Sequence, residues 1–151
     1  MIIRERDYIY WLTSLPGIGI KKQRILLQNF TSAKEIYNRK EKDFFGINGI
    51  YPKEINTILT KRDVNKKAEE LSRWEAKGIF YITYLEEKYP SKLKWIFDYP
   101  LGIFYRGKLP TENCMQIAII GARDCTYYGK ECAGYFARVL AENGIEVISG
   151  L

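Results

Sequence analysis

From Ile117 to Ser149 the chain runs through an apolar segment closed by glycine, a long helical repeat and a second short apolar segment. No other feature of the sequence limits the fold as much. Ile117–Ile120 is continuously apolar and ends in Gly121. Without alternation it reads as a strand buried on both faces, as in a parallel sheet. Cys132, Phe136 and Leu140 then recur at helical spacing with Ala133 and Ala137 beside them, and Asn143-Gly144 closes the helix. Ile145–Ser149 is the next strand. Two strands joined through a helix run parallel, with a right-handed crossover. The sequence stops at the end of this strand, so a fragment of a larger sheet is expected, with an open edge that invites pairing.

The first half has a different period. Tyr8, Trp11, Leu12 and Leu15 fall on one helical stripe, and so do Ile25, Leu26 and Phe30. Ser32 and Glu35 have the spacing of a capping box. Asp63 is placed to cap a helix running to Lys77, with Val64, Ala68, Leu71 and Trp74 on its buried stripe and Gly78 ending it. Ile79–Tyr84 and Leu101–Tyr105 read as strands. A boundary is therefore expected near residue 80.

Charge follows the same division. Residues 1–80 carry 16 Lys+Arg against 10 Asp+Glu, and residues 81–151 carry 8 of each, so the net charge of +6 lies in the first half. Such a surplus suits a polyanionic partner or a plain solvated surface. The chain has no histidine, which removes imidazole bases, Ser-His-Asp triads and nearly all zinc-hydrolase designs. No metal site is expected. Cys114, Cys125 and Cys132 are odd in number and lack C-x-x-C spacing, so buried or half-buried free thiols are expected rather than disulfides. There is neither a secretory pattern nor an apolar run of membrane-spanning length, which places the chain in the cytoplasm, away from membranes.

Two glycine-bearing segments can carry chemistry. Leu15-Pro16-Gly17-Ile18-Gly19 separates two helical patterns and looks like a helix-hairpin-helix element. Gly17 and Gly19 would leave backbone amides bare at a helix start, where they hold phosphate without reading bases, and Lys21, Lys22 and Arg24 would reinforce them. Gln23 stands where such hairpins carry a small residue, which argues against close helix packing. A plain helix corner is the competing reading. Gly46-Ile47-Asn48-Gly49-Ile50, followed by Pro52 and Lys53, is a weaker second copy.

The other segment is Gly121-Ala122-Arg123-Asp124-Cys125-Thr126-Tyr127-Tyr128-Gly129, between strand and helix. Doubly wound sheets bind phosphates at this position. Thr126 can cap the helix, amides near Tyr127 and Tyr128 can face the crevice, Arg123 can fork onto a phosphate, and the tyrosines can stack on bases. Alternatively, Arg123 pairs with a carboxylate and the tyrosines pack inside. Neither G-x-G-x-x-G nor a nucleotide P-loop is present, so no cofactor is called for. A third segment, Tyr89–Leu93 with Asp98–Gly107, reads as scaffolding.

Taken in order, the Leu15–Gly19 hairpin, Tyr89-Pro90 with Leu93, Asp98–Gly107, and Ile119–Arg123 with Thr126, Tyr128 and Gly129 resemble the DNA-processing protein A (DprA/Smf) family. The resemblance implies an α/β chain: a helical, helix-hairpin-helix (SAM-like) domain over residues 1–79, then the truncated start of a Rossmann-like parallel sheet over 80–151. It further implies a non-enzymatic single-stranded DNA binder that protects incoming DNA and loads RecA recombinase in natural transformation. The DNA-contacting arginine of the family's G-S-R block falls on Arg123, with Ala122 where serine is usual. Dimerisation and RecA surfaces would lie beyond residue 151, and a homodimer of the full-length protein is the corresponding expectation. An enzyme cleaving nucleotide or ribosyl phosphates in the same crevice is the second reading. A helical half acting alone in protein or duplex binding is the third.

Overall fold

Helix α1 (Glu5–Thr13) begins where Asp7 turns back to accept the Arg4 amide at 2.7 Å, satisfying a donor the helix itself cannot. The computed structural model describes residues 2–110 and 113–150, which fall into two compact units, Met1–Leu109 and Pro110–Leu151. The first unit continues through α2 (Ile20–Asn29), α3 (Ala33–Asn38), a 3₁₀ turn at Glu41–Phe44, α4 (Pro52–Thr60) and α5 (Val64–Glu75). Helices this short are marginal alone in water, so packing must hold them. Trp11, Leu12, Leu26, Ile36, Phe44 and Ile58 supply it; all are fully buried. Each such side chain contributes roughly 1.5–3 kcal/mol on burial. The Trp11 indole donates to the Lys61 carbonyl at 2.6 Å, so its one polar atom is satisfied inside.

Local expectations for the helices hold with three changes. Ser32 accepts the Glu35 amide at 3.0 Å as foreseen, but the Glu35 carboxylate turns to Thr31, taking both its amide and its hydroxyl. Asp63 occupies the cap of α5 without a side-chain bond to it. Trp74 is 36% exposed rather than buried, because it lies at the rim of the stripe that Val64, Ala68 and Leu71 bury.

Strands β1 (Ile79–Thr83) and β2 (Gly102–Arg106) pair antiparallel, with Tyr81 opposite Phe104 and Thr83 opposite Gly102. Tyr81 packs against Tyr10 of α1, with ring centroids 5.1 Å apart, and Leu101 joins the helical core. The change of composition near residue 80 thus lies inside the first unit, between α5 and β1. The connection between the strands is tied at its ends: Tyr89 is buried and its hydroxyl donates to the Pro100 carbonyl at 2.7 Å, and the Tyr84 amide donates to Leu101 at 2.9 Å. That is a scaffolding role.

In the second unit β3 (Gln116–Ile119) and β4 (Glu146–Ser149) run parallel, joined through α6 (Tyr127–Glu142). The strand–helix–strand order is the expected one. The expected burial is not seen. Among the described residues of this unit none is buried, Ile120 is 88% exposed, and Phe136 of α6 is exposed too. Two strands and one helix cannot cover both faces of a sheet. The thiols follow suit: all three cysteines are free, but Cys125 is exposed rather than half-buried. Among the described residues no group of His, Cys, Asp and Glu could hold a metal ion, and no helix is long and apolar enough to cross a membrane.

Candidate nucleic-acid interface

The turn from β3 into α6 runs from Ile120 to Thr126 and is exposed throughout. Thr126, in extended conformation, caps the helix, its Oγ1 accepting the Gly129 amide at 3.1 Å. Its carbonyl takes the Lys130 amide. The amides from Ala122 to Tyr128 meet no acceptor among the described residues. No acidic residue occupies the first turn of α6. Amides free at a helix start present partial positive charge to any nearby anion. Arg123 is exposed and meets no carboxylate among the described residues, Asp124 included. Tyr127 and Tyr128 are 80% and 77% exposed, so both rings stand in solvent rather than in a core. Gly121 and Ala122 leave the chain entering this turn unobstructed, with nothing within 4 Å of a Cβ built at Gly121.

The hairpin lies in the first unit. Gly17 adopts φ +77°, a conformation that side chains resist, and turns the chain so that Ile18 points into the core. Gly19 then caps α2 with no side chain of its own, and the amides of Gly19 to Lys22 meet no acceptor among the described residues. Lys21 is exposed. Lys22 is engaged: its ammonium lies 2.6 Å from Glu54 Oε1. Arg24 is engaged as well, stacked 3.9 Å from the Tyr99 ring centroid and donating to the Tyr99 carbonyl at 2.9 Å. Gln23, far from spoiling the packing, is buried and donates to the Ile18 carbonyl at 2.7 Å, pinning the turn from inside. The two groups of candidate residues thus occupy separate units, Gly17–Lys22 in the first and Gly121–Gly129 in the second.

The second glycine segment behaves differently. Gly46 and Gly49 both turn with positive φ, and a Cβ at Gly49 would press on Ile25 of α2. The α4 start that follows is filled by the protein itself: Glu54 Oε2 accepts the Tyr51 amide at 3.0 Å while Oε1 holds Lys22. The Lys22 ammonium, together with that amide, holds the Glu54 carboxyl below the usual carboxylate range against the opposing effect of burial. Glu54 was invisible as a site residue in the sequence, although its spacing from Tyr51 is that of a capping pair. The same device recurs. Asp7 fills the start of α1, Asp43 the 3₁₀ turn, and Glu5 reaches the Ala33 amide of α3 at 2.6 Å. Of the described α-helices in this unit, α2 alone begins with no acidic residue at its cap or in its first turn.

These features define a class: a chain of mixed helix and sheet whose strand-to-helix turn is rich in open amides. Residues 80–151 match the family described as DNA recombination-mediator protein A. Protein Smf of Borreliella burgdorferi is 41% identical over 64 residues, covering 42% of this chain and 20% of that protein. Protein Smf of Escherichia coli is 35% identical over 65 residues, 43% of this chain and 17% of its own. The DNA processing protein DprA of Bacillus subtilis is 30% identical over 103 residues, 65% of this chain and 35% of that protein. Over residues 80–151, then, the chain has the sequence of the DprA/Smf family. It spans between 17% and 35% of the length of these relatives.

Proposed function

We propose that the chain is part of a non-enzymatic, cytoplasmic, single-stranded DNA-binding protein that protects DNA and loads RecA recombinase. In this reading residues 1–79 form a helix-hairpin-helix (SAM-like) domain and residues 80–151 begin an extended Rossmann-like DNA-binding domain. One observation carries the reading: the amides from Ala122 to Tyr128 lie open beside an exposed, unpaired Arg123. Gly121 and Ala122 let the backbone approach a phosphate, Thr126 and Gly129 hold the helix start, and Arg123 supplies a two-pronged donor. Tyr128, with Tyr127 beside it, offers a ring to a base, a contact that tolerates any sequence. Gly17, Gly19 and Lys21 provide a second phosphate contact in the helical unit, with Lys22 joining once it leaves Glu54. RecA loading and assembly of the whole protein as a homodimer rest on the family resemblance.

The test is titration of labelled single-stranded and duplex oligonucleotides with this chain and with the whole protein. Affinity should favour single strands, ignore sequence, and fall with salt at a log–log slope of about −0.7 per phosphate held. Arg123→Ala should weaken binding about tenfold, the usual effect of losing one charge-assisted contact. Salt-independent binding, or an Arg123→Ala chain that binds normally, would refute the assignment.

A further inference from the structure

Helix α5 carries a second feature that the turn at Gly121–Gly129 does not explain. Lys66, Glu70, Arg73, Trp74 and Lys77 line one open groove along its exposed side, at the spacing of a single helical face. Lys66, Arg73 and Lys77 are exposed, and none meets a carboxylate among the described residues. The one acid in the groove is already paired with Lys67. Burial works against the Glu70 carboxylate, but the Lys67 ammonium 3.0 Å away, with Tyr10 and Trp74 near it, outweighs burial and lowers its pKa. Glu70 is therefore offset by Lys67 rather than left as a free negative charge.

Trp74 is 36% exposed, and Phe104 of β2, 45% exposed, lies beside it with ring centroids 6.3 Å apart. On the strand face that carries Phe104, Arg106 follows two residues on and is exposed. Lys77 lies 5.3 Å from the Trp74 ring centroid. Its flexible stem lets the ammonium leave the ring for an adjoining phosphate when a base takes its place.

Open aromatic rings set among unpaired cations suit a polyanion that brings π faces with it. A bare anion would use the charges alone and an apolar partner the rings alone. We propose that this α5–β2 face is a base-stacking surface for single-stranded nucleic acid. Trp74 and Phe104 form its platform, and Lys66, Arg73, Lys77 and Arg106 are its phosphate contacts. The inference extends the single-strand reading above and borrows only the choice of probe from it; its residues are distinct from Arg123.

The experiment is fluorescence anisotropy of labelled oligo(dT) with the full chain, across a salt series. Trp74→Ala should weaken binding about tenfold and Trp74→Phe should restore most of it, since a ring remains to stack on. Replacing Lys66, Arg73 and Lys77 together by glutamine changes exposed side chains only; it should flatten the log–log salt slope by about 2. Wild-type binding in either the Trp74→Ala or the glutamine chain overturns the proposal. So does equally strong competition by polyphosphate, which carries charge without bases. The two readings separate cleanly: loss through Arg123→Ala alone overturns this surface and leaves the turn, whereas loss through Trp74→Ala with Arg123→Ala normal does the reverse.

Discussion

The ammonium of Lys22 and the carboxylate of Glu54 meet at 2.6 Å, joining the start of α2 to the start of α4. One acid thereby holds together two turns that are distant in sequence, and it also occupies a lysine that a phosphate would otherwise use. Glu54→Gln should lower stability near neutral pH by about 1–2 kcal/mol, through loss of a cap bond and a charge-assisted contact. It should also raise oligonucleotide affinity severalfold by releasing Lys22. The sign with pH follows from the lowered pKa of Glu54. Its stabilisation is fully present above the ordinary carboxylate pKa and is lost as pH falls through the lower folded value. Urea denaturation at neutral and acidic pH should show the gap between wild type and variant closing on the acid side.

Thr126 is the cap of α6 through its 3.1 Å bond from the Gly129 amide. Thr126→Ala should destabilise the helix by about 1 kcal/mol, and Thr126→Ser should recover most of that. Amide hydrogen exchange in the first turn of α6 is the direct readout. Equal protection in all three chains would count against the cap.

Gly102 faces the Tyr81 ring closely enough that a Cβ there would run into the phenol. Tyr81 is buried and its hydroxyl lies 3.4 Å from Thr13 Oγ1, so it has little room to move. Gly102→Ala should cost about 1–3 kcal/mol, as overpacking does. Adding Tyr81→Ala removes the ring in the way, whose Cζ and Cε2 as well as its hydroxyl a Cβ at Gly102 would meet, and the double variant should be more stable than the sum of the single effects predicts. Thermal melts of the four chains make the cycle.

Burial pushes the Tyr81 hydroxyl up to about 12, and burial together with Glu70 raises Tyr10 as well. A raised pKa gives stability that is intact below the unfolded tyrosine value, near 10, and lost as pH climbs through the folded one. Alkaline unfolding is therefore expected between roughly pH 10 and 12. Absorbance titration of tyrosinate should show a late group that ionises together with loss of structure. Simple titration of every tyrosine near pH 10 with the fold intact would contradict it.

Elements whose cause is local were readable in the sequence. Gly17 before Gly19, Thr126 before α6, and the run at Ile117–Ile120 each write their structure within a few residues. What escaped depends on partners far along the chain. Glu5 caps α3, Glu54 binds Lys22, and Arg24 stacks on Tyr99, each across a separation that leaves no periodic trace. The antiparallel pairing of β1 with β2 was hidden for the same reason, because residues 84–101 carry no hairpin turn to announce it. Trp74 was misjudged because a helical stripe has rims, and periodicity does not say which rim residue a neighbour will cover.

The helical unit places an acidic residue at the cap or in the first turn of all its described α-helices but one. To an anion drifting over that surface those acidic mouths are repulsive, and the Gly19 mouth is the well that has no acid beside it. Discrimination is thus written largely in occupancy elsewhere: removing a capping acid would not only loosen a helix but open a decoy that competes with the hairpin for the same charge.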